Sequence, residues 1–543
     1  MAGSTHTVGA QAPPATGHDL FTTDRPLAEG VARHLAPELL AEARAELALL
    51  GRTAGSAQVR EWGRLADAHP PVLRTHGRDG RRIDEVECHP SLHHLLGAGV
   101  AAGLTSAWTR PGGHVRRAAA FLVWSQVEGG RLSPLSMTHA AVPALRAQPE
   151  LAAVWEPLLT SGAYDAGAGP AAGRAGALVG RGMPQGRGGG DGPADAVRAR
   201  ALGDGGYVLA GRQWWCGAPV ADGFLVLAQA PGGPTCFLVP RVLADGGRNG
   251  LAFQRLEDAP GGRSLPSAEV EFDGTRALRV GDEGRGPHTV GGLVAASRLD
   301  QVLGAAGLMR LAVARAVHHG AYREAAGGGR LPDGPLAENV LADLALESEA
   351  ATTLALRLAA AYDAPDPAER DMLRLAVPAA AYWVTGRCAP LLAEARDCLG
   401  GAGGAQQPGM PRLPHDAAPT PAGPGSGNRR ALDVLRVLRG EPGAFHAFLV
   451  EIGRARGADH RLDAAVKALL TELGDLDGIE ARARRLTERI ALVLQGSLLV
   501  RFAPPEVADL FCATRLGGDG GAAFGTLPHT LDLGALVERA RPV

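Results

Sequence analysis

The stretches LVGRGMPQGRGGGDG (178–192) and GGYVLAGRQWWCGAP (205–219) decide the fold of this chain. The first is rich in glycine, which lets a backbone approach a ligand or a neighbouring strand closely. The second is bounded by Gly and Pro and carries two adjacent tryptophans, Trp214 and Trp215, as β-strands often do. Together they predict a glycine-rich loop that leads into a strand of a β-domain in the middle of the chain.

Short strand-like segments continue after this pair, and helical periodicity lies on both sides of them. DGFLVLAQA, TCFLVPRV, LAFQRLED and SAEVEFDG are apolar runs bounded by turn residues. Before them, apolar residues recur at three-to-four spacing from about Pro37 to Ala152, and from about Thr289 long periodic helices return. We therefore predict an α+β, mostly α fold. Its segments are an extended arm (1–36), a helical domain (37–177), a β-domain (178–288), a helical bundle (289–440) and a helical extension (441–543).

The composition places the protein among ordinary globular chains. Of its 543 residues, 45% are hydrophobic and 21% are charged, and the formal net charge is −2. No global field therefore favours nucleic acid or an anionic membrane. The six cysteines form no CxxC pair, and we see neither a signal peptide nor a spanning run, so we expect a cytoplasmic protein.

Several stretches, taken together and in order, resemble the acyl-CoA dehydrogenase family, and most closely its AidB-like branch. They include GRLADAHPPVL (63–73), GRRIDEVECHP (80–90), SPLSMTHAA (133–141) and GSGNRRALDVLRVL (425–438), besides the loop and the tryptophan strand. The resemblance implies a helical domain, a β-barrel or sandwich, a helical bundle and an AidB-like extension. It also implies FAD, an acyl-thioester or related small-molecule substrate, and a homo-oligomer, as a tetramer in most members.

The resemblance also implies a set of cofactor-binding residues, some of which depart from the family pattern. Pro184, Gly190 and Gly217 stand where members carry Thr, Ser and Ser. Three lost hydrogen bonds at about 1 kcal/mol each would weaken flavin binding roughly a hundredfold, so both retention and loss of FAD stay open. The implied positions are Met183, Pro184, Gly189, Gly190, Trp214, Trp215, Gly217, Arg323, Gly400, Gly401, Gly425, Ser426 and Asn428.

Neither position at which the family carries its catalytic glutamate has a carboxylate here. Most members have the glutamate directly before the GSGN turn, where this chain has Pro424, and a second group has it at the position of Ser297. Proline cannot transfer a proton, and a serine hydroxyl is a weak base without an activating neighbour. Asp300 is a candidate substitute three residues beyond Ser297, although an ion-paired aspartate is the more common interpretation.

Three further groups of residues suggest other chemistry. Cys88, His89, His93 and His94 cluster, and His89 and His93 have the i, i+4 spacing that can bind metal. For these residues and for His318 and His319, ordinary helix-surface histidines are the better interpretation, so we predict no metal. Cys216 is either a reactive thiol or a buried apolar side chain. Arg482, Arg485 and Arg489 share a helix face, yet residues 441–543 hold 12 basic and 14 acidic side chains, which makes nucleic acid an improbable partner.

Three functions follow from these observations. The first is a flavin-dependent oxidoreductase without the usual glutamate. The second is a non-redox descendant that has lost FAD and acts as a binding or assembly partner or as a non-redox catalyst. The third is a DNA-associated protection protein.

Overall fold

The described residues form two compact units, and one of them contains the sheet that the two sequence stretches predict. A computed structural model describes residues 12–13, 15–129, 132–183, 197–322, 334–405, 409–417, 425–475, 477–528 and 531–542. One unit, called the central unit, comprises Gln58–Gly304 and Ala418–Arg429. The other, called the split unit, comprises Met1–Ala57, Ala305–Ala417 and Arg430–Val543.

The central unit begins with helices and a short hairpin and continues into the sheet. The first elements are α3 (Ala57–Ala68), β1 (Val72–His76), β2 (Arg82–Glu87), α4 (Pro90–Ala101), α5 (Gly113–Ser125), α6 (Leu132–Leu145) and α7 (Pro149–Leu159). The sheet consists of β3 (Val179–Gly182), β4 (Arg198–Ala201), β5 (Tyr207–Gly217), β6 (Gly223–Ala230), β7 (Gly233–Pro240), β8 (Leu251–Leu256) and β9 (Ala268–Val280). Helix α8 (Gly286–Thr289) and the start of α9 (Gly291–Tyr322) follow.

Six of the seven strands close into a ring, and β8 pairs with the first part of β9 alone. The strand order is β3-β5-β4-β6-β7-β9-β8, and the additional pairings β3–β6 and β5–β9 join strands that are distant in that order. Strand β3 runs antiparallel to β5 and parallel to β6, whereas β9 pairs antiparallel with β5, β7 and β8. Closure pairs the six ring strands on both sides, and it confirms the predicted barrel-like β-domain.

The split unit is helical. It contains α1 (Arg25–His34), α2 (Pro37–Gly55), the remainder of α9, α10 (Pro335–Asp363), α11 (Pro367–Cys398), α12 (Leu413–Asp416), most of α13 (Gly427–Gly440), α14 (Pro442–Gly453), α15 (His460–Leu473), α16 (Ala483–Phe502), α17 (Pro505–Phe511) and α18 (Leu533–Ala540). Helices α14, α16 and α18 of the predicted extension pack on α10 and α11 of the predicted bundle. The mostly helical fold with a sheet domain is therefore the one predicted.

Buried ion pairs fasten the extension to the bundle. Arg357 on α10 donates to Glu369 on α11 at 2.7 and 2.8 Å and to Glu451 on α14 at 2.9 Å. Arg515, which follows α17, pairs with Asp343 and Glu347 of α10. Because buried charges are tolerated only when they are paired, these contacts fix the extension against α10.

Two elements differ from the sequence-based prediction. The arm predicted for residues 1–36 contains α1, because the Asp24 side chain accepts from the Leu27 N–H and Pro26 occupies the first turn. The stretch predicted as helical from residue 37 to 152 contains the β1–β2 hairpin, whose turn includes Gly80 at φ 79°. Local capping and turn chemistry override the composition of the first stretch and the periodicity of the second.

Within the described part of the chain, we find no helix long and apolar enough to cross a membrane.

Candidate active site

Strand β3 carries the chain into the glycine-rich loop, and it is held at both ends. At its start, the Leu178 N–H donates to the Asp222 carboxylate at 2.8 Å, and Arg174 pairs with the same carboxylate at 3.1 Å. Burial raises the pKa of Asp222 to about 6, against the lowering effect of the Leu178 hydrogen bond and the Arg174 charge. At its other end, the Gln213 side-chain amide donates to the Met183 carbonyl at 2.7 Å.

The approach of β3 to β5 is close enough to require glycine at Gly180. A Cβ added there would lie 2.4 Å from the Gly217 carbonyl oxygen and 2.7 Å from the Phe224 ring. In the ladder, Arg181 is the partner of Gly217, and Gly182 is the partner of Cys216. The two stretches that the sequence singled out are therefore neighbours, and they meet at the point where β5 ends.

Trp214 and Trp215 lie half-buried near the end of β5. The Trp214 ring is contacted by two guanidinium groups, those of Arg212 at 5.3 Å and Arg255 at 5.4 Å from the ring centroid. Both arginines also pair with the buried carboxylate of Glu269, which holds them in place. These cation–π contacts fix the orientation of Trp214.

An apolar surface adjoins Met183. Trp108, Met183, Leu227 and Val294 are partly buried and pack on a cluster that includes side chains of α6, the sheet and the first turns of α9. Half-buried apolar side chains beside a strand end form a surface on which a planar ring can stack. The apolar character of these side chains is compatible with an isoalloxazine.

The predicted base positions on α9 are both engaged by arginines. The Ser297 hydroxyl accepts a hydrogen bond from the Arg181 guanidinium at 2.9 Å. The Asp300 carboxylate accepts two bonds from Arg117, at 2.5 and 2.8 Å, and both side chains of this pair are 3% exposed. Both carboxylate oxygens of Asp300 are thus occupied by Arg117 in a bidentate pair. The more common interpretation of Asp300 is therefore the one that the geometry supports.

Other predicted cofactor positions divide between the two units. Gly425, Ser426 and Asn428 belong to the central unit, where Gly425 has φ 95° and the Ser426 hydroxyl accepts from the Arg429 N–H at 3.4 Å at the start of α13. Gly400 and Gly401 belong to the split unit, in a single helical turn after α11 where Gly400 has φ 55°. Five predicted residues, Pro184, Gly189, Gly190, Arg323 and Pro424, lie outside the described residues.

The histidines of the predicted metal spacing contact aromatic side chains. His93 bonds the Tyr164 hydroxyl at 2.7 Å, His94 stacks on Trp62, and His89 stacks on His69. Across the described ranges we find no group of three or more His, Cys, Asp or Glu side chains that could hold a metal ion.

Cys216 is buried, and the three arginines of the predicted helix face pair with an acidic side chain. All six cysteines are free thiols, and burial raises the pKa of Cys216 to about 12, so its nucleophilic thiolate form is disfavoured. Arg482, Arg485 and Arg489 converge on the single carboxylate of Glu472, at 3.9, 3.4 and 2.5 Å. All three arginines therefore interact with an acidic side chain of their own chain.

Sequence reasoning missed two groups of buried polar residues. Arg181 and Arg117 were not considered, although a charge inside the short apolar run LVGRGM was a visible signal for the first. His114 and His139 pack with Trp108, at ring-centroid distances of 4.4 and 5.0 Å from it. Burial and the charge of Arg117 lower the pKa of His114 to about 3, so its imidazole is neutral at physiological pH. No spacing in the sequence brings these three rings together.

Comparison with known proteins agrees with this architecture. Residues 10–166 match the adaptive response protein AidB N-terminal domain, and residues 284–438 match the acyl-CoA dehydrogenase C-terminal domain. Over 526 residues the chain is 36% identical to the acyl-CoA dehydrogenase-like protein AidB of Escherichia coli (strain K12), and the match covers 95% of each chain. The protein belongs to the acyl-CoA dehydrogenase family, in its AidB-like branch.

Solved structures of family members show the same fold. The Caenorhabditis elegans protein ACDH-11 in complex with C11-CoA superposes with a TM-score of 0.83 at 24% identity, covering 95% of this chain and 94% of that one. Glutaryl-CoA dehydrogenase from Mycobacterium smegmatis in complex with FADH2 gives a TM-score of 0.57 at 19% identity, covering 78% and 99%. Members of the family thus bind a flavin.

Proposed function

We propose that this acyl-CoA dehydrogenase family member is an FAD-dependent oxidoreductase that acts on an acyl-thioester or a related small molecule without the usual glutamate base. The observation that carries the proposal is the junction of β3 and β5. There Met183 and the end of β5 lie side by side, and Met183 packs on the same buried cluster as Trp108, Leu227 and Val294. The C11-CoA of one relative and the FADH2 of another support a thioester substrate and a flavin.

The chain's own residues would divide the work as follows. Met183, Trp215 and the backbone at Gly217 would hold the ring, and the turn at Gly425–Asn428 would offer backbone donors to the remainder of the cofactor. The flavin, when bound, supplies hydride acceptance. Arg117 occupies both carboxylate oxygens of Asp300, so α9 presents a hydroxyl and not a carboxylate base at Ser297. Substrates whose oxidation needs no carboxylate, such as amines, suit this arrangement as well as thioesters do.

The purified protein tests this proposal through its visible absorption spectrum. We expect bands of oxidised flavin, either as isolated or after addition of FAD, and bleaching of those bands when a substrate from an acyl-CoA or amine panel is added anaerobically. A colourless protein that takes up no added FAD contradicts the proposal and supports the non-redox descendant. Retardation of duplex DNA that weakens with added salt would instead support the DNA-associated protein.

A homo-oligomer, with a tetramer as the first expectation, accompanies this proposal. The family resemblance supports it, and light scattering of the purified protein measures it directly. A monomer at micromolar concentration would contradict it.

A further inference from the structure

Helix α4 of the central unit is capped by a histidine side chain. His89 has an extended backbone conformation (φ −61°, ψ 139°), and its Nδ1 accepts a hydrogen bond from the Ser91 N–H at 3.2 Å. A backbone N–H can only donate, so Nδ1 must carry a lone pair for this bond to exist. The cap is therefore present only when the imidazole is neutral and has its hydrogen on Nε2.

A second histidine, His69, stacks on His89. Their ring centroids are 4.9 Å apart, and the ring planes differ by 22°. His69 directly follows α3, and its Nδ1 lies 2.9 Å from the Leu65 carbonyl oxygen. Because a carbonyl oxygen can only accept, Nδ1 of His69 carries a hydrogen, and a proton added at Nε2 leaves this bond intact. A proton therefore removes the hydrogen bond of His89 but not that of His69.

Two electrostatic effects add to the loss of the cap. A protonated His89 places a positive charge at the amino end of α4, where the helix dipole already presents a partial positive charge. A protonated His69 places a second positive charge against the first at stacking distance. Both effects destabilise the contact between the end of α3 and the first turn of α4 once the imidazoles are charged.

The next histidines of α4 respond differently to acid. His93 Nδ1 and the Tyr164 hydroxyl are 2.7 Å apart, and burial and the charge of His94 lower the pKa of His93. His94 stacks on Trp62 of α3 with ring centroids 4.8 Å apart. A cationic imidazole remains attracted to the face of an indole, so this second contact between α3 and α4 persists in acid. The effect of a proton is thus confined to the first turn.

The remaining titratable groups beside the two stacked rings come from α3 and β2. Asp67 of α3 has interaction partners of its own. Glu87, at the end of β2, pairs with Arg74 of β1. Burial raises the pKa of Cys88 to about 12, against the lowering effect of the Arg241 charge, so this thiol is neutral across the range in which histidine titrates.

We propose that His89 and His69 form an acid-sensitive switch that releases the first turn of α4 when the imidazoles are protonated. The inference goes beyond the proposed function, since it assigns a conformational change and not a ligand. Histidine is the side chain that takes up a proton between about pH 5 and 8, which sets the range of the switch.

Helix α6 connects α4 with the strand that leads into the glycine-rich loop. A Cβ added at Gly99 of α4 would lie 2.6 Å from the Leu135 side chain of α6, so the two helices are in close contact. The Thr138 hydroxyl of α6 accepts from the Val179 N–H of β3 at 3.0 Å. The switch is therefore joined to the candidate active site through one helix.

Hydrogen–deuterium exchange of the purified full-length protein tests the proposal. Peptides that cover residues 90–96 are followed by mass spectrometry at pH 7.5 and 5.5, and rates are expressed as protection factors, which remove the pH dependence of the exchange chemistry itself. We expect protection of this segment to be about five- to tenfold lower at pH 5.5, the size expected for loss of a helix cap. Protection of α5 should stay constant.

The variant H89N separates the cap from the charge, because an asparagine side chain accepts the same hydrogen bond and does not titrate. We expect H89N to keep its protection at both pH values, and H89A to be weakly protected at both. The matched control is H76N, which removes an exposed histidine of β1 and should show the same fall at pH 5.5 as the unaltered protein.

Equal protection at the two pH values in the unaltered protein would overturn the proposal, whether or not the variants fold. A fall of unchanged size in a folded H89N protein would assign the effect to another group and would also overturn it. If α5 loses protection in parallel with residues 90–96, acid unfolds the whole unit and the local switch is wrong.

Discussion

In the candidate active site, the buried charges of Asp300 and Arg117 match one another. Asp300 and Arg117 are both 3% exposed and share two hydrogen bonds. Replacement of Asp300 by Asn leaves the Arg117 cation buried without its countercharge, and we expect the free energy of unfolding to fall by about 3–5 kcal/mol. Urea denaturation monitored by tryptophan fluorescence measures the loss.

An exposed pair supplies the control for this prediction. Arg64 and Glu61 are bonded at 2.6 Å, but their side chains are 60% and 50% exposed, so water screens the interaction. Glu61→Gln should therefore leave the unfolding curve unchanged. If Asp300→Asn also unfolds like the unaltered protein, the buried pair is not a stability determinant.

The residue scale is also where sequence reasoning reached its limit. The loss of the family's hydroxyl groups and glutamates could be identified from the sequence, because each is a substitution at one position of a motif. The partner of Asp300 lies 183 positions away, and so no local pattern identifies Arg117. Arg181 could have been questioned from its apolar neighbours, but its bond to Ser297 spans 116 positions.

At the scale of elements, the packing of β3 against β5 requires that residue 180 has no side chain. We expect Gly180→Ala to push β3 away from β5, since the new Cβ would meet the Gly217 carbonyl oxygen and the Phe224 ring. Overpacking of this kind lowers stability by about 1–3 kcal/mol. We expect FAD affinity, measured by titration of the flavin absorbance, to fall together with stability, because Met183 directly follows β3.

Gly203→Ala is the matched control, since a Cβ there meets nothing within 4 Å. Full flavin affinity in a folded Gly180→Ala protein would show that the β3–β5 spacing is not limiting.

The β1–β2 hairpin depends on one strained residue. Asp84 has φ 43°, is 1% exposed and accepts from Arg82 at 3.0 Å and Arg248 at 3.3 Å, which anchors the hairpin to the residues that follow β7. We expect Asp84→Ala to keep the strain while losing these bonds, and so to lower the free energy of unfolding by about 2–3 kcal/mol.

Proteolysis within the hairpin should accelerate together with this loss. Glu85→Gln, which changes the exposed neighbouring side chain, should cleave at the original rate. A comparable acceleration in both variants would show that Asp84 has no special role.

Helices and strands could be predicted where one hydrophobic period persists over many residues. The long helices α9, α10 and α11 and the strands β5 to β9 follow patterns visible in the sequence. The hairpin was missed because its alternation is only five and six residues long within helical surroundings.

For the whole molecule, acid should act on the contacts that join the extension to the bundle. Burial raises the pKa of Glu451, but hydrogen bonds from Arg357 and Arg501 and the nearby charges lower it to about 2. A depressed pKa stabilises the folded state above the unfolded value of 4.5, and this stabilisation is lost as the pH falls towards 2. Its full size is roughly 3 kcal/mol.

Glu451→Gln removes that pH-dependent part. We expect the variant to be less stable than the unaltered protein at pH 7, and the difference between the two to shrink between about pH 4.5 and 2. Chemical denaturation across this range measures it. A difference that stays constant with pH would show that Glu451 is not the titrating group.

The order of helical and strand regions could be predicted, whereas their grouping in space could not. The structure places α1 and α2 with the later bundle and the extension in one unit, and α3 to α7 with the sheet in the other. The grouping depends on contacts between distant positions, such as that of Arg539 with Glu29, 510 positions apart. No local sequence pattern identifies such contacts.

The contact between Arg539 and Glu29 also bears on how the protein is made. Arg539 bonds Glu29 of α1 and Glu349 of α10, so three stretches of the split unit meet at one guanidinium. A ribosome releases the chain from its amino end, and domains generally fold as they emerge. The contact between α1 and α18 can therefore form only after Arg539, 510 positions beyond Glu29, has been synthesised.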